Sequence, residues 1–186
     1  MTSQHTSSTL PVDADRLGET DDAYADTTLD GQLFSGVAYE RDAEGHLISL
    51  CGYVDGKMHG AFRVWTPSGT IVSEYYYVGG GLHGPYREWD ASGRLRLDAY
   101  YEYSHSTRRK TFAADGSVLE DEPIDPESPN AARIARARKR RSGELVDIDL
   151  KTWSFSQKPA GWGADGAGLP DAAALAVPAF RSDLVV

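Results

Sequence analysis

GAFRVWTPSGTIVSEYYYVGGG (residues 60–81) and GPYREWDASGRLRLDAYYEYSH (residues 84–105) lie one over the other without a gap, 24 residues apart. The stretch before them, GVAYERDAEGHLISLCGYVDGK (36–57), takes the same frame, and RRKTFAADGSVLEDE (108–122) continues it in worn form. Two glycine series keep the step, Gly36, Gly60, Gly84 and Gly45, Gly69, Gly93, with Gly116 following one residue early. A fixed period of this length marks units that cannot bury an apolar face alone and must stack.

The turn residues say what each unit is. Ala43-Glu44-Gly45, Pro67-Ser68-Gly69, Ala91-Ser92-Gly93 and Ala114-Asp115-Gly116 put glycine where a short hairpin loop needs positive φ. Between units, Asp55-Gly56 suits a two-residue turn whose twist matches its strands, and Gly79-Gly80-Gly81 holds the next equivalent place. The expected fold is mainly β: an elongated sheet of antiparallel hairpins over residues 30–122.

Period-two alternation assigns faces to the second strand of each unit. Leu47, Ile71 and Leu95 share one face with Ser49, Ser73, Leu97, Cys51, Tyr75, Ala99 and with Tyr53, Tyr77, Tyr101. This face is expected to be the core. The opposite one, with Leu50, Glu74, Asp98, Tyr76 and Tyr100, is mixed and expected to be wet. An isolated hairpin is marginal in water, so the end units need covers, and the acidic arm at the N-terminus, the helix near residue 135 and a further strand expected at 145–150 are the candidates for covering the exposed edges.

The flanks differ in composition. Residues 1–29 are acidic, with Arg16 as the single base, and read as a disordered arm. A linker over 123–128 carries two prolines. Ser128 as cap and Pro129 at the first helical position then open a basic helix over about 129–141. Glu144 to Phe155 alternates weakly enough to suggest one further strand, completing a region 129–156. Residues 157–186 are rich in Ala, Gly and Pro and read as a flexible tail.

The run from Tyr53-Val54-Asp55-Gly56-Lys57 to Gly60, followed by an aromatic at Trp65 and by Ser68-Gly69, resembles the bacterial variant of the MORN repeat, as found in antitoxins of the YwqK type. The resemblance covers about half of the chain. It implies an elongated, twisted hairpin sheet used for binding proteins, a toxin-like protein among the expected partners, or, in some relatives, for touching lipid head groups, and it brings no catalytic residues. The chain departs from the pattern at Arg41, which stands where Trp65 and Trp89 stand, and at Thr107, which replaces the leading glycine.

Candidate sites follow from these patterns. Trp65, Trp89, Arg63 and Arg87 recur in phase, and together with Tyr76, Tyr100 and Arg96 they form a ladder of the residue types that dominate protein interfaces. Packing within the repeat is the competing role for the tryptophans. Arg133, Arg136, Arg138, Lys139, Arg140 and Arg141 make the helix a local basic patch, and nucleic acid or an anionic surface is the alternative partner. No catalytic or metal site and no cofactor is expected. His59 and His83 recur too far apart to share a metal and suit turn packing. Gly79-Gly80-Gly81 lacks the lysine and helix of a phosphate loop, and Cys51 falls on the expected core face.

The formal net charge of −9 over 186 residues argues against broad nucleic-acid affinity. A lone cysteine, no basic-then-apolar leader and no long apolar run together point to the cytoplasm, without a transmembrane segment.

Overall fold

The computed structural model describes residues 5–7, 11–21 and 25–140. The strand expected within 144–155, the tail from 157 and Arg141 lie outside the described residues. Ahead of the repeat come β1 (His5–Ser7), β2 (Val12–Asp13), β3 (Leu17–Glu19) and β4 (Thr27–Leu29), with a 3-10 turn over Ala14–Arg16. The repeat itself supplies β5 (Gln32–Arg41), β6 (Leu47–Val54), β7 (Lys57–Trp65) and β8 (Ile71–Val78). It continues with β9 (Gly81–Trp89), β10 (Leu95–Glu102), β11 (His105–Phe112) and β12 (Val118–Pro123). Helix α1 (Pro129–Arg140) follows. From β3 to β12 every strand pairs antiparallel with its sequence neighbour, giving an open hairpin sheet, while β1 and β2 run parallel to β5. The mainly β hairpin sheet is the fold that the 24-residue period predicts, and the basic helix follows where Ser128 and Pro129 place it.

The turns alternate between two designs. At the outer tips the Gly45 amide donates to the Asp42 carbonyl and the Asp42 amide to the His46 carbonyl, each at 3.0 Å. Thr66/Gly69, Asp90/Gly93 and Ala113/Gly116 repeat this pair of bonds. At the other end two successive residues take positive φ, the requirement of a type I′ turn. Asp55-Gly56 does so at 49° and 78°, as the sequence predicts, but Tyr103-Ser104 does so at 50° and 65° with no glycine. That last turn is strained by about 1–2 kcal/mol per residue. The Ser104 amide bonded to the Leu82 carbonyl and the Leu82 amide bonded to Ser104 Oγ hold it in place.

The expected faces of the second strands are corrected by a β-bulge at every tip. Trp65 opposes Ile71 while Val64 opposes Ser73, so Val72 is the extra residue; Ile48, Arg96 and Leu119 are skipped in the same way. Each bulge flips the alternation beyond it. Leu47 and Ile71 therefore join the face expected to be wet, where they form the core with Leu50, Val37 and Trp65, and Tyr39 and Trp89 pack against it. This front face also holds Glu74 and Tyr76, only 4% and 2% exposed. The back face carries an aromatic stack: Phe62–Tyr75 at 5.7 Å, Tyr75–Tyr86 at 4.2 Å and Tyr86–Tyr101 at 5.4 Å between ring centres. Neighbouring strands lie about 4.8 Å apart, so one ring per strand places such rings in contact.

The disordered arm expected over 1–29 is also corrected for its described part. Val12 and Leu29 are buried with Phe34 and Ala38 in a second cluster that Leu17 and Tyr53 flank. The Thr27 amide donates to the Gly56 carbonyl at 2.8 Å, and Asp26 takes an ion pair from Lys57. The physical reason is that the first hairpin has no preceding unit. Phe34 needs a cover, and the few apolar residues of an otherwise acidic arm are spaced to supply one.

Candidate interaction surface

One row of the front face crosses six strands with alternating charge. The register sets Arg63 of β7 opposite Glu74 of β8, then Arg87 of β9, Asp98 of β10, Lys110 of β11 and Asp121 of β12. The bonds run along it: Arg63 Nε to Glu74 Oε1 at 2.8 Å, Arg87 Nε to Asp98 Oδ1 at 3.0 Å, Lys110 Nζ to Asp121 Oδ2 at 2.9 Å. Arg108 also reaches Asp121, whose carboxyl is lowered below its usual range chiefly by that hydrogen bond and then by Lys110. Opposite charges placed directly across a ladder stabilise it and fix its register.

The row passes from closed to open. Arg63 and Glu74 side chains are 11% and 5% exposed, whereas Arg87 and Asp98 are each 42% exposed. The flanking rows behave alike: Tyr76 is buried but its equivalent Tyr100 is 36% exposed, and Ile71 is buried but Val118 is 52% exposed. The front face thus belongs to the core over β5–β8 and to the surface over β10–β12.

This gradient divides the residues expected to contact a partner. Trp65, Tyr76 and Arg63 are buried and hold the sheet together. Trp89 and Arg87 are half-buried, Arg87 being shared between Asp98 and, at 3.8 Å, Glu74. Tyr100 and Arg96 are exposed. Of these four, Arg87 is the one tied to the charged row through Asp98 and Glu74, and nothing in the period by itself separates the closed end from the open one. Sequence reasoning missed Leu119, 62% exposed beside Val118 on the edge strand, although it is the bulge residue equivalent to Arg96.

The basic helix starts as predicted, with the Ala131 amide donating to Ser128 Oγ at 3.1 Å. Ile134 and Ala137 are its buried residues. Arg138 grips Glu102 through two nitrogens, one at 2.7 Å, and this bond holds the Glu102 carboxyl below its usual range against the opposing effect of burial. An expected role for α1 was to cover a sheet edge. Instead it lies across the type I′ turns after β8 and β10, enclosing a cleft of about 810 Å³, and all of β12 stays exposed. Arg133, Arg136, Lys139 and Arg140 are exposed.

The remaining reactive groups are tied up in structure. Cys51 is buried, its Sγ 3.5 Å from the Gly52 carbonyl, and burial pushes the thiol up to about 12, which keeps it protonated and a poor nucleophile. His59 Nδ1 accepts from the Gly79 amide and His83 Nδ1 from the Tyr103 amide, each at 3.4 Å, one period apart. Among the described residues, Asp42, Glu44 and His46 bring ligand-type atoms within 4.8 Å, but Asp42 Oδ1 already caps its turn by accepting the Glu44 and His46 amides. No described helix is long and apolar enough to cross a membrane.

No family model matches the chain, and no curated protein matches it.

Proposed function

We propose that the chain is a MORN-like, non-enzymatic protein-binding module of the bacterial cytoplasm that neutralises or escorts a partner, as an antitoxin or immunity protein does. The observation that carries this reading is the burial gradient along the front face. Trp89 and Arg87, half-buried, and Tyr100, exposed, repeat the positions at which Trp65, Arg63 and Tyr76 are closed, and exposed Arg96 stands at the bulge position of Val72. Aromatic and arginine anchors on the same open end of the sheet as exposed Val118 and Leu119 match the composition of energetic centres in interfaces. A partner seated over β9–β12 would bury what the last hairpins leave open.

The test is capture from the source cell's extract with the full chain, in parallel with Tyr100→Ala/Arg96→Glu. A protein retained at physiological salt by the parent and lost in the variant supports the reading. Retention of the same proteins by both, or of none by the parent, overturns it. The second reading, an adaptor for nucleic acid or an anionic surface, is favoured by the exposed arginines of α1. It expects retention on a polyanion that falls steeply with salt.

A further inference from the structure

The cleft under α1 differs from the rest of this acidic chain. Its thirteen lining residues include Arg133, Arg136, Lys139 and Arg140 from the helix and His83 and His105 from the sheet, and none is a carboxylate. Elsewhere Arg63, Arg87, Arg94, Arg108, Arg109 and Arg138 each meet an Asp or Glu. Arg133 and Arg136 donate instead to the Asn130 side chain and the Ala132 carbonyl, neutral acceptors of their own helix. Among the described residues, those contacts leave the charge uncompensated.

The helical spacing sharpens this. Positions 133, 136 and 140 fall at i, i+3 and i+7, so three guanidinium groups share one stripe, where like charges repel. Of the stripe only Arg140, with its neighbour Lys139, lies in the last turn of α1, where the helix dipole tolerates cations. Across from the stripe stand the turn residues Gly79 and Ser104 and the ring of His83, oriented by the Tyr103 amide at its Nδ1. A volume of about 810 Å³ is of the size that holds a small ligand.

We propose that this cleft binds an anion carrying two or more phosphate groups, held by bidentate contacts from Arg133, Arg136 and Arg140 with Lys139 as an added point charge. Arginine forks match phosphate oxygens, and several linked phosphates are needed to span a stripe two turns long. A nucleic-acid duplex fits less well, since it demands a broad cationic surface and the chain as a whole carries a net charge of −9. The site stands whether or not the sheet binds a protein.

Inorganic tripolyphosphate titrated into the full chain is the direct test, by calorimetry and by the rise in Tm. Binding is expected to weaken by about tenfold or more in Arg136→Gln/Arg140→Gln and to persist in Arg16→Gln/Arg94→Gln, which loses the same charge elsewhere. As a readout on the unaltered chain, tripolyphosphate is expected to slow tryptic cleavage after Arg136. Equal weakening in both variants, or equal binding of sulfate at matched ionic strength, overturns the proposal. So does a 20-base-pair duplex that binds more tightly and is not displaced by tripolyphosphate. Vesicles containing a bisphosphorylated inositol lipid identify the source of the phosphates. Binding to them that tripolyphosphate displaces assigns a headgroup, and absence of vesicle binding alongside tripolyphosphate binding assigns a soluble ligand.

Discussion

Single residues in this sheet carry unequal weight for reasons the burial gradient makes plain. Glu74 is closed over by its neighbours and faces Arg63 at 2.8 Å. Glu74→Ala leaves a buried guanidinium facing no carboxylate there and is expected to cost about 3–5 kcal/mol in urea unfolding, whereas exchanging both partners for Met and Leu should recover most of it. His59 is governed by burial, which pushes its pKa below the usual 6.5. Between 6.5 and the lower folded value, the unfolded chain takes up a proton that the folded chain refuses, so stability falls as pH falls. In His59→Gln this contribution to the acid-side slope should vanish when the urea midpoint is followed across that window. An unchanged slope would show that His59 is not held neutral.

Among elements, the type I′ turns and the helix can be ranked. Gly80 takes a φ of 83° with no atom near a would-be Cβ, while at Gly56 a Cβ would stand 2.9 Å from the Thr27 carbonyl. Gly80→Ala is therefore expected to cost about 1–2 kcal/mol for backbone strain alone. Gly56→Ala should cost more, because it also pushes β4 away; equal losses in thermal melts would mean that β4 does not rest on that turn. The leading glycines have a related reason, since Gly84, at a φ of 112°, would bring a Cβ to 3.3 Å from the Tyr76 Cβ. For α1, the grip of Arg138 on Glu102 is partly solvent-exposed, so its loss in Arg138→Gln is expected to cost only about 1 kcal/mol. That is enough to speed tryptic cleavage after Arg133 and Arg136 without changing the melting of the sheet. Period, turn chemistry and helix cap were legible from residues such as Asp55-Gly56 and Ser128-Pro129. The bulges at Ile48, Val72 and Arg96 were not, because a flipped alternation depends on how two strands pair and not on either strand alone.

For the whole molecule, the array is stable at its start and open at its end. Val12 caps the back face at the first hairpin together with Leu29 and Phe34. Val12→Asp is expected to lose about 2–4 kcal/mol and to expose Phe34, readable as binding of a hydrophobic dye; a melt identical to the parent's would mean the arm is not a cap. At the other end no described residue covers β12 in this way, and its acidic residues Glu120, Asp121 and Glu122 discourage pairing with stray strands. The sequence by itself determined the repeat, the hairpin topology, the turn positions and the basic helix, because these depend on local φ preference and on periods within short reach. Only the tertiary structure decided which face is core, that the described part of the acidic arm folds against the first hairpin rather than staying disordered, and that α1 lies over turns to form a cationic cleft. Those outcomes depend on the register between strands and on which apolar surface remains unburied once the strands have paired, and no local preference encodes either.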